Sequence, residues 1–175
     1  MLNIRKYLVN LAAIKSNYYM KICFLVIGKT VEDYLKQGIT NYEKRLKNYL
    51  PFEIKTAPEI KKTANLSVEQ QKTLEGKVLL ENLSPADYVV LLDEQGKEFT
   101  SSDFAVFLQK CMLQSIKSMI FVVGGPYGFS MEMYNRANAK ISLSRMTFSH
   151  QMVRLIFTEQ LYRAMTILKN EPYHH

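Results

Sequence analysis

The chain has 175 residues, 47% hydrophobic and 22% charged, a composition that excludes intrinsic disorder, collagen and coiled-coil classes. That length suits one domain burying roughly two-thirds of its unfolded surface, so a core needs neither disulfides nor a metal. The formal charge of +7, from 23 basic and 16 acidic residues, favours a polyanionic partner, with nucleic acid first.

Residues 1–19 read as an appendage to a domain over 20–175. They carry Arg5, Lys6 and Lys15 without an acid, supplying +3 of the net charge. Their longest apolar stretch, Leu11 to Ile14, is too short for a signal-peptide core. Met20 then opens a strong strand and reads as the natural start, with 1–19 an upstream extension or the product of a mis-called start. An ordinary amphipathic N-terminal helix is the alternative. The run Ile22-Cys-Phe-Leu-Val-Ile27, closed by Gly28, predicts a strand buried on both faces. Val31, Tyr34, Leu35, Tyr42, Leu46 and Tyr49 recur at helical spacing until Pro51. Phe52 to Ala57 is a second strand, and a polar, lysine-rich stretch follows over 58–66. Ser67 with Gln70 forms a capping box for a helix to about Leu83.

Tyr88 to Leu92 predicts a third buried strand, followed by a polar turn over Asp93 to Lys97. Thr100 to Ser102 cap a helix carrying Phe104, Phe107, Leu108 and Cys111. Met119 to Val123 is a fourth strand, leading into Gly124-Gly-Pro-Tyr-Gly128, and Ser130 caps a short helix. Ile141 to Ser144 is a fifth strand, and a long helix runs from about Gln151 to Leu168. Strands alternating with helices predict a single-domain α/β fold around a largely parallel sheet. No apolar run approaches 18 residues, so no segment reads as crossing a bilayer. Two cysteines, Cys23 and Cys111, exclude a disulfide framework and a four-cysteine zinc site. Both sit in apolar runs as small buried hydrophobes, which fits a reduced, cytoplasmic protein.

In open α/β sheets ligands bind beyond the carboxyl ends of the strands. Three such ends stand out here: Leu92-Asp93, Gly124 to Gly128, and Ser144 to Ser149. The glycine loop is a poor phosphate cradle, because Pro126 lacks an N–H and the spacing matches no phosphate-binding fingerprint. It suits either a ligand gripped by backbone edge and shape, such as an adenosine, or a plain tight turn. His150 lies at a helix start, where the dipole favours the neutral ring. Arg154 follows one turn later on the same face. Glu159 and Arg163 are spaced as an i,i+4 salt pair.

The segments Met20-Lys-Ile, Gly28-Lys, Tyr42-Glu-Lys-Arg45, Leu92-Asp, Gly96-Lys97, Val123-Gly-Gly-Pro-Tyr-Gly128, Ser144-Arg-Met-Thr-Phe-Ser-His150, Glu159-Gln-Leu-Tyr-Arg-Ala164 and Pro172-Tyr-His174 occur in this order. Together they resemble the bacterial ribosomal RNA large subunit methyltransferase H family over about 20–175. The resemblance implies a SPOUT-class α/β methyltransferase with a C-terminal trefoil knot, acting as a homodimer. It implies transfer of a methyl group from S-adenosyl-L-methionine to N3 of a pseudouridine in 23S rRNA, on the assembled ribosome, with no metal. Carried over by position, cofactor contacts fall at Leu92, Gly125, Ser144, Arg145, Met146, Thr147, Phe148 and Ser149. Many relatives have proline at the position of Ser149; a serine there can cap the following helix. Methyl transfer to an imide nitrogen requires loss of its proton, and Arg154, His150, Tyr173 and His174 are the candidates for target binding and proton removal. Which of them is the base is open. Two other readings compete: a non-catalytic RNA- or ribosome-binding module, and an α/β enzyme using a different nucleotide, which Pro126 disfavours.

Further expectations follow. A side chain at Gly125 is expected to project where the backbone approaches the adenosine. The last helix is apolar on several sides, so part of it is expected to pack on a second subunit. Pro172 is expected to turn Tyr173 and His174 away from the helix line, and the knot would bring them beside the cofactor.

Overall fold

The computed structural model describes residues 20–61 and 63–173. The expectations for 1–19 and for His174 therefore lie outside the described residues. Elements follow in the order β1 (Lys21–Ile27), α1 (Asp33–Leu46), β2 (Phe52–Ala57), a 3-10 turn (Thr63–Asn65), α2 (Val68–Leu80), β3 (Tyr88–Glu98), α3 (Ser101–Leu113), β4 (Ser118–Val123), α4 (Met131–Arg136), β5 (Ala139–Ser142) and α5 (Met152–Leu168). The 3-10 turn interrupts the stretch expected to be irregular.

The five strands form one sheet in the order β2-β1-β4-β3-β5, and every neighbouring pair is parallel. β4 is the central strand with β1 and β3 on either side, and β1 and β4 are buried almost throughout. That is why they read as continuous apolar runs and not as alternation. One face carries Phe24, Phe121 and Val90 packed with Phe104 and Leu108 of α3 and with Phe157 and Leu161 of α5. On the other face Leu25, Val89, Leu91 and Val122 meet Leu79 of α2 and Met133 of α4. Cys23 and Cys111 are buried, as expected, and burial pushes the Cys23 thiol up to about 11. Among the described residues no helix is long and apolar enough to cross a membrane.

The capping reading holds in atomic detail. Ser67 and Gln70 exchange side-chain and backbone bonds at the start of α2, while Thr100 and Ser130 cap α3 and α4. Several boundaries differ, among them the end of α2 at Leu80 against about Leu83 and the end of β5 at Ser142 against Ser144. The expected polar turn over Asp93 to Lys97 is strand for most of its length: Leu92 and Lys97 both pair with Ile141, and the intervening residues bulge outward. Gly96 permits this, because a Cβ there would lie 2.5 Å from the Ile141 backbone. β5 begins two residues earlier than expected. The Asn138 backbone N–H donates to the Val89 carbonyl and its side-chain oxygen accepts from the Val89 N–H, both at 2.8 Å, which starts the pairing there.

Candidate functional site

Strand order brings the carboxyl ends of β4, β3 and β5 side by side, and the three loops expected to carry chemistry meet there. They enclose a cleft of about 440 Å³. One wall is the loop after β4. Its Gly128 N–H donates to the Gly125 carbonyl at 3.2 Å, closing a turn with Pro126 and Tyr127 at the centre. Pro126 fits the second position of such a turn, and Gly128 takes a positive φ of 82° that most side chains resist. Gly124 is equally constrained, since a Cβ would stand 2.9 Å from the Gly128 carbonyl oxygen.

The second wall is the loop after β5. Ser142 donates its hydroxyl to the Ser144 carbonyl at 3.0 Å, and the Ser144 hydroxyl accepts from the Met146 N–H at 2.9 Å. These short-range bonds fold the loop on itself without a regular ladder. Ser149 accepts from the Met152 N–H at 3.1 Å, so the serine does cap the start of α5. The third wall is the end of β3 with its bulge. Asp93 accepts from the Gln95 N–H at 2.8 Å and from the Tyr134 hydroxyl at 2.5 Å. Burial, then that carboxylate, pushes the Tyr134 phenol above its ordinary value.

Leu92, Gly125, Ser144, Met146, Thr147, Phe148 and His150 all line this cleft, with Val123, Phe129 and Val153 as further apolar wall. Arg145 and Ser149 do not line it: Arg145 reaches out to Glu98 at 3.2 Å. The structure also assigns a different neighbour to Gly125. A Cβ there would stand 2.2 Å from a carboxylate oxygen of Glu75 on α2, behind the loop.

Arg154 is not at the cleft. It is 3% exposed and donates to the carbonyls of Ile27 (2.6 Å) and Gly28 (2.9 Å) and to the Thr30 hydroxyl (3.1 Å). It thereby ties the end of β1 to the start of α5, and Gln151 reinforces the tie by accepting from the Val31 N–H at 2.8 Å. Burial disfavours the guanidinium charge and Glu59 nearby favours it.

Tyr173 lies elsewhere again. α5 ends with Asn170 at φ 55°, and the Glu171 N–H reaches back to the Thr166 carbonyl at 2.9 Å, a Schellman turn. The tail leaves the helix line, as expected, but folds onto its own α1–α5 surface. The Tyr173 ring stands edge-on to Tyr162 at 4.7 Å, under Arg163 at 5.0 Å, and its hydroxyl meets that of Tyr42 at 3.1 Å. Glu159 and Arg163 form the expected salt pair at 2.7 Å. Burial and the Tyr42 bond push the Tyr173 phenol up to about 12. The tail runs back along α5 to Tyr162 and Glu159, and Tyr173 is not among the residues that line the cleft.

Sequence reasoning missed Glu75, Lys72 and Tyr134. Lys72 and Tyr134 line the cleft from α2 and α4, and only tertiary packing brings those helices to the loop. The one clue to Glu75 is its place four residues before the core residue Leu79, on the apolar face of α2.

A model of the family described as predicted SPOUT methyltransferase matches residues 20–174. The ribosomal RNA large subunit methyltransferase H of Parabacteroides distasonis is 59% identical over 156 residues, covering 89% of this chain and 99% of the relative. The protein of that name from Christiangramia forsetii is 57% identical over the same coverage. Among solved structures, a probable methyltransferase from Bordetella pertussis aligns with a TM-score of 0.51 at 12% identity, over 85% of this chain and 98% of that one. At that identity the last likeness concerns fold alone.

Proposed function

The chain belongs to the SPOUT methyltransferases, in the family of ribosomal RNA large subunit methyltransferase H, and from that premise we propose its reaction. It methylates N3 of a pseudouridine in 23S rRNA on the assembled ribosome, in the cytoplasm, with S-adenosyl-L-methionine as donor. The observation that carries this reading is the cleft at the ends of β3, β4 and β5, walled by a glycine loop without a phosphate cradle. Its dimensions fall within the range of small-molecule sites. Its surface combines backbone edges and apolar side chains with Asp93 and Glu94 beside Lys72, which supports a ligand such as an adenosine-bearing cation gripped by shape.

When bound, the donor supplies an electrophilic methyl on a sulfonium, so the protein contributes positioning and field. Leu92, Gly125 and the 144–148 loop would hold it, with Phe148 and Val153 keeping water from the reacting centre. His150 is exposed at the cleft and is the described candidate positioned to take the imide proton. Arg154 acts at a distance, by fixing the start of α5 on which His150 stands.

The reaction also calls for a second copy. Met152 and Ile156 of α5 are half-buried yet lie outside the core cluster, which supports pairing of two chains along this helix. Tyr173 and His174 of one chain would then serve the cleft of the other, and the knot would thread the loops around the donor. Calorimetry with S-adenosyl-L-methionine, followed by mass mapping of methylation on 70S and isolated 50S particles, tests the reading. Saturable binding and one new methyl on the 70S particle is the expected result. RNA binding without donor binding would instead identify a non-catalytic module.

A further inference from the structure

Glu75 is the residue that folding alone does not explain. It is 5% exposed on the inner face of α2. Its Oε1 accepts from Gln71 at 2.8 Å. Its Oε2 is the one buried side-chain oxygen among the described residues without a hydrogen-bond partner. Among the described residues no basic side chain pairs with it: Lys72, one turn back, holds Glu69 at 3.1 Å. A buried, half-satisfied carboxylate destabilises a fold, and such groups persist where function uses them.

The packing around it is close and specific. The carboxylate stands directly behind Gly125, whose front lines the cleft. One residue on, Gly76 lacks the Cβ that would meet the Ser130 hydroxyl at 2.3 Å. The two glycines therefore let the Glu75 carboxylate stand against the loop backbone and the Ser130 side chain against the backbone of α2. Asp93 and Glu94 add negative charge on the opposite wall, but the Asp93 oxygens are already engaged by Tyr134 and Gln95, and Glu94 is exposed.

We infer that Glu75 is a positioning residue that selects the sulfonium-bearing methyl donor over its thioether product, acting from behind Gly125 through its unpaired carboxylate oxygen. The inference rests on the proposed donor. Methyl transfer turns a sulfonium into a neutral thioether, so the ligand loses one positive charge in the reaction. A fixed negative charge near the site favours the form that carries the additional positive charge, and a carboxylate as buried as Glu75 is weakly screened by solvent. Selectivity of this kind both loads the donor and releases the product.

The test is calorimetry of S-adenosylmethionine and S-adenosylhomocysteine against the full chain and its Glu75→Gln variant, with a melting curve for each. Glu75→Gln should weaken donor binding about tenfold and product binding less than twofold, and the melting temperature should hold or rise. A merely structural role would lower both affinities in parallel and lower the melting temperature, and that result overturns the inference. So does a donor-to-product ratio unchanged in Glu75→Gln. Glu75→Asp keeps the charge, so its ratio should stay within twofold of wild type even where both affinities fall; loss of the ratio in that variant also overturns the inference. Wild-type protein that binds neither ligand overturns the functional reading itself, and the inference with it.

Discussion

The carboxyl ends of β1 and β4, neighbours in the sheet, each have a buried charged side chain beside them, and the two are treated oppositely. At β1 the Arg154 guanidinium meets two carbonyls and a hydroxyl, leaving only its Nε unpaired. At β4 the Glu75 carboxylate has one donor for two oxygens and a glycine pressed against it. A nearly saturated buried charge holds backbone in place, and its neighbourhood is closed. An unsaturated one stands where the structure opens into a cleft. Type and burial alone would rank the two alike; the partner count separates them.

The largest effect should come from the closed end. Arg154→Met leaves the Ile27 and Gly28 carbonyls without their donor, a loss on the order of 3 kcal/mol. For a chain of this size that lowers the melting temperature by roughly 10 °C. Methylation should fall with the folded fraction, measured by melting and by a methyl-transfer assay side by side. An unchanged melting temperature with methylation lost would place Arg154 on the substrate instead and erase the contrast.

The open end should respond less in stability and more in binding. Gly125→Val drives a side chain into Glu75 and should cost about 2 kcal/mol as overpacking, while donor affinity falls at least tenfold. In a Glu75→Ala background the clash is relieved, so the stability cost of Gly125→Ala should shrink. A cycle of the two changes reads that coupling directly. Additive effects would mean that the loop and α2 are not held together through this contact.

The smallest stability effect belongs to the tail, which touches neither end. Deleting 173–175 removes the Tyr173 packing on Tyr162 and Tyr42, a loss of about 1 kcal/mol. Donor affinity should be unchanged. Methyl transfer should drop at least a hundredfold, the scale of a lost acid–base or target contact. Full activity in the truncated enzyme would leave His150 to act without the tail.

Much of this was legible in the residues. The central strands announced themselves as unbroken apolar runs because both their faces are covered. Ser67, Thr100 and Ser130 announced helix starts because capping is settled within four residues. The same locality explains the errors. Asp93 to Gly96 have turn composition and do leave the ladder, but strand pairing resumes at Lys97 because Ile141 accepts two partners across the bulge. Nothing within a few residues of Lys97 encodes that.

The sequence by itself determined the element order, the parallel α/β class and the three loops that form the cleft, since hydrophobic period and caps are short-range properties. It also carried the family likeness, because the motif loops are read in order along the chain. Tertiary structure decided which charged residues do what. Arg154 and His150 share a helix start, yet the first turns inward to β1 and the second stays at the cleft. Tyr173 was expected beside the cofactor and is packed on α1 and α5 of its own chain. Glu75 looked like an ordinary helix residue and lies buried behind Gly125. In each case the deciding quantity is a contact between segments far apart in the chain, and burial with its hydrogen bonds exists only once those segments meet.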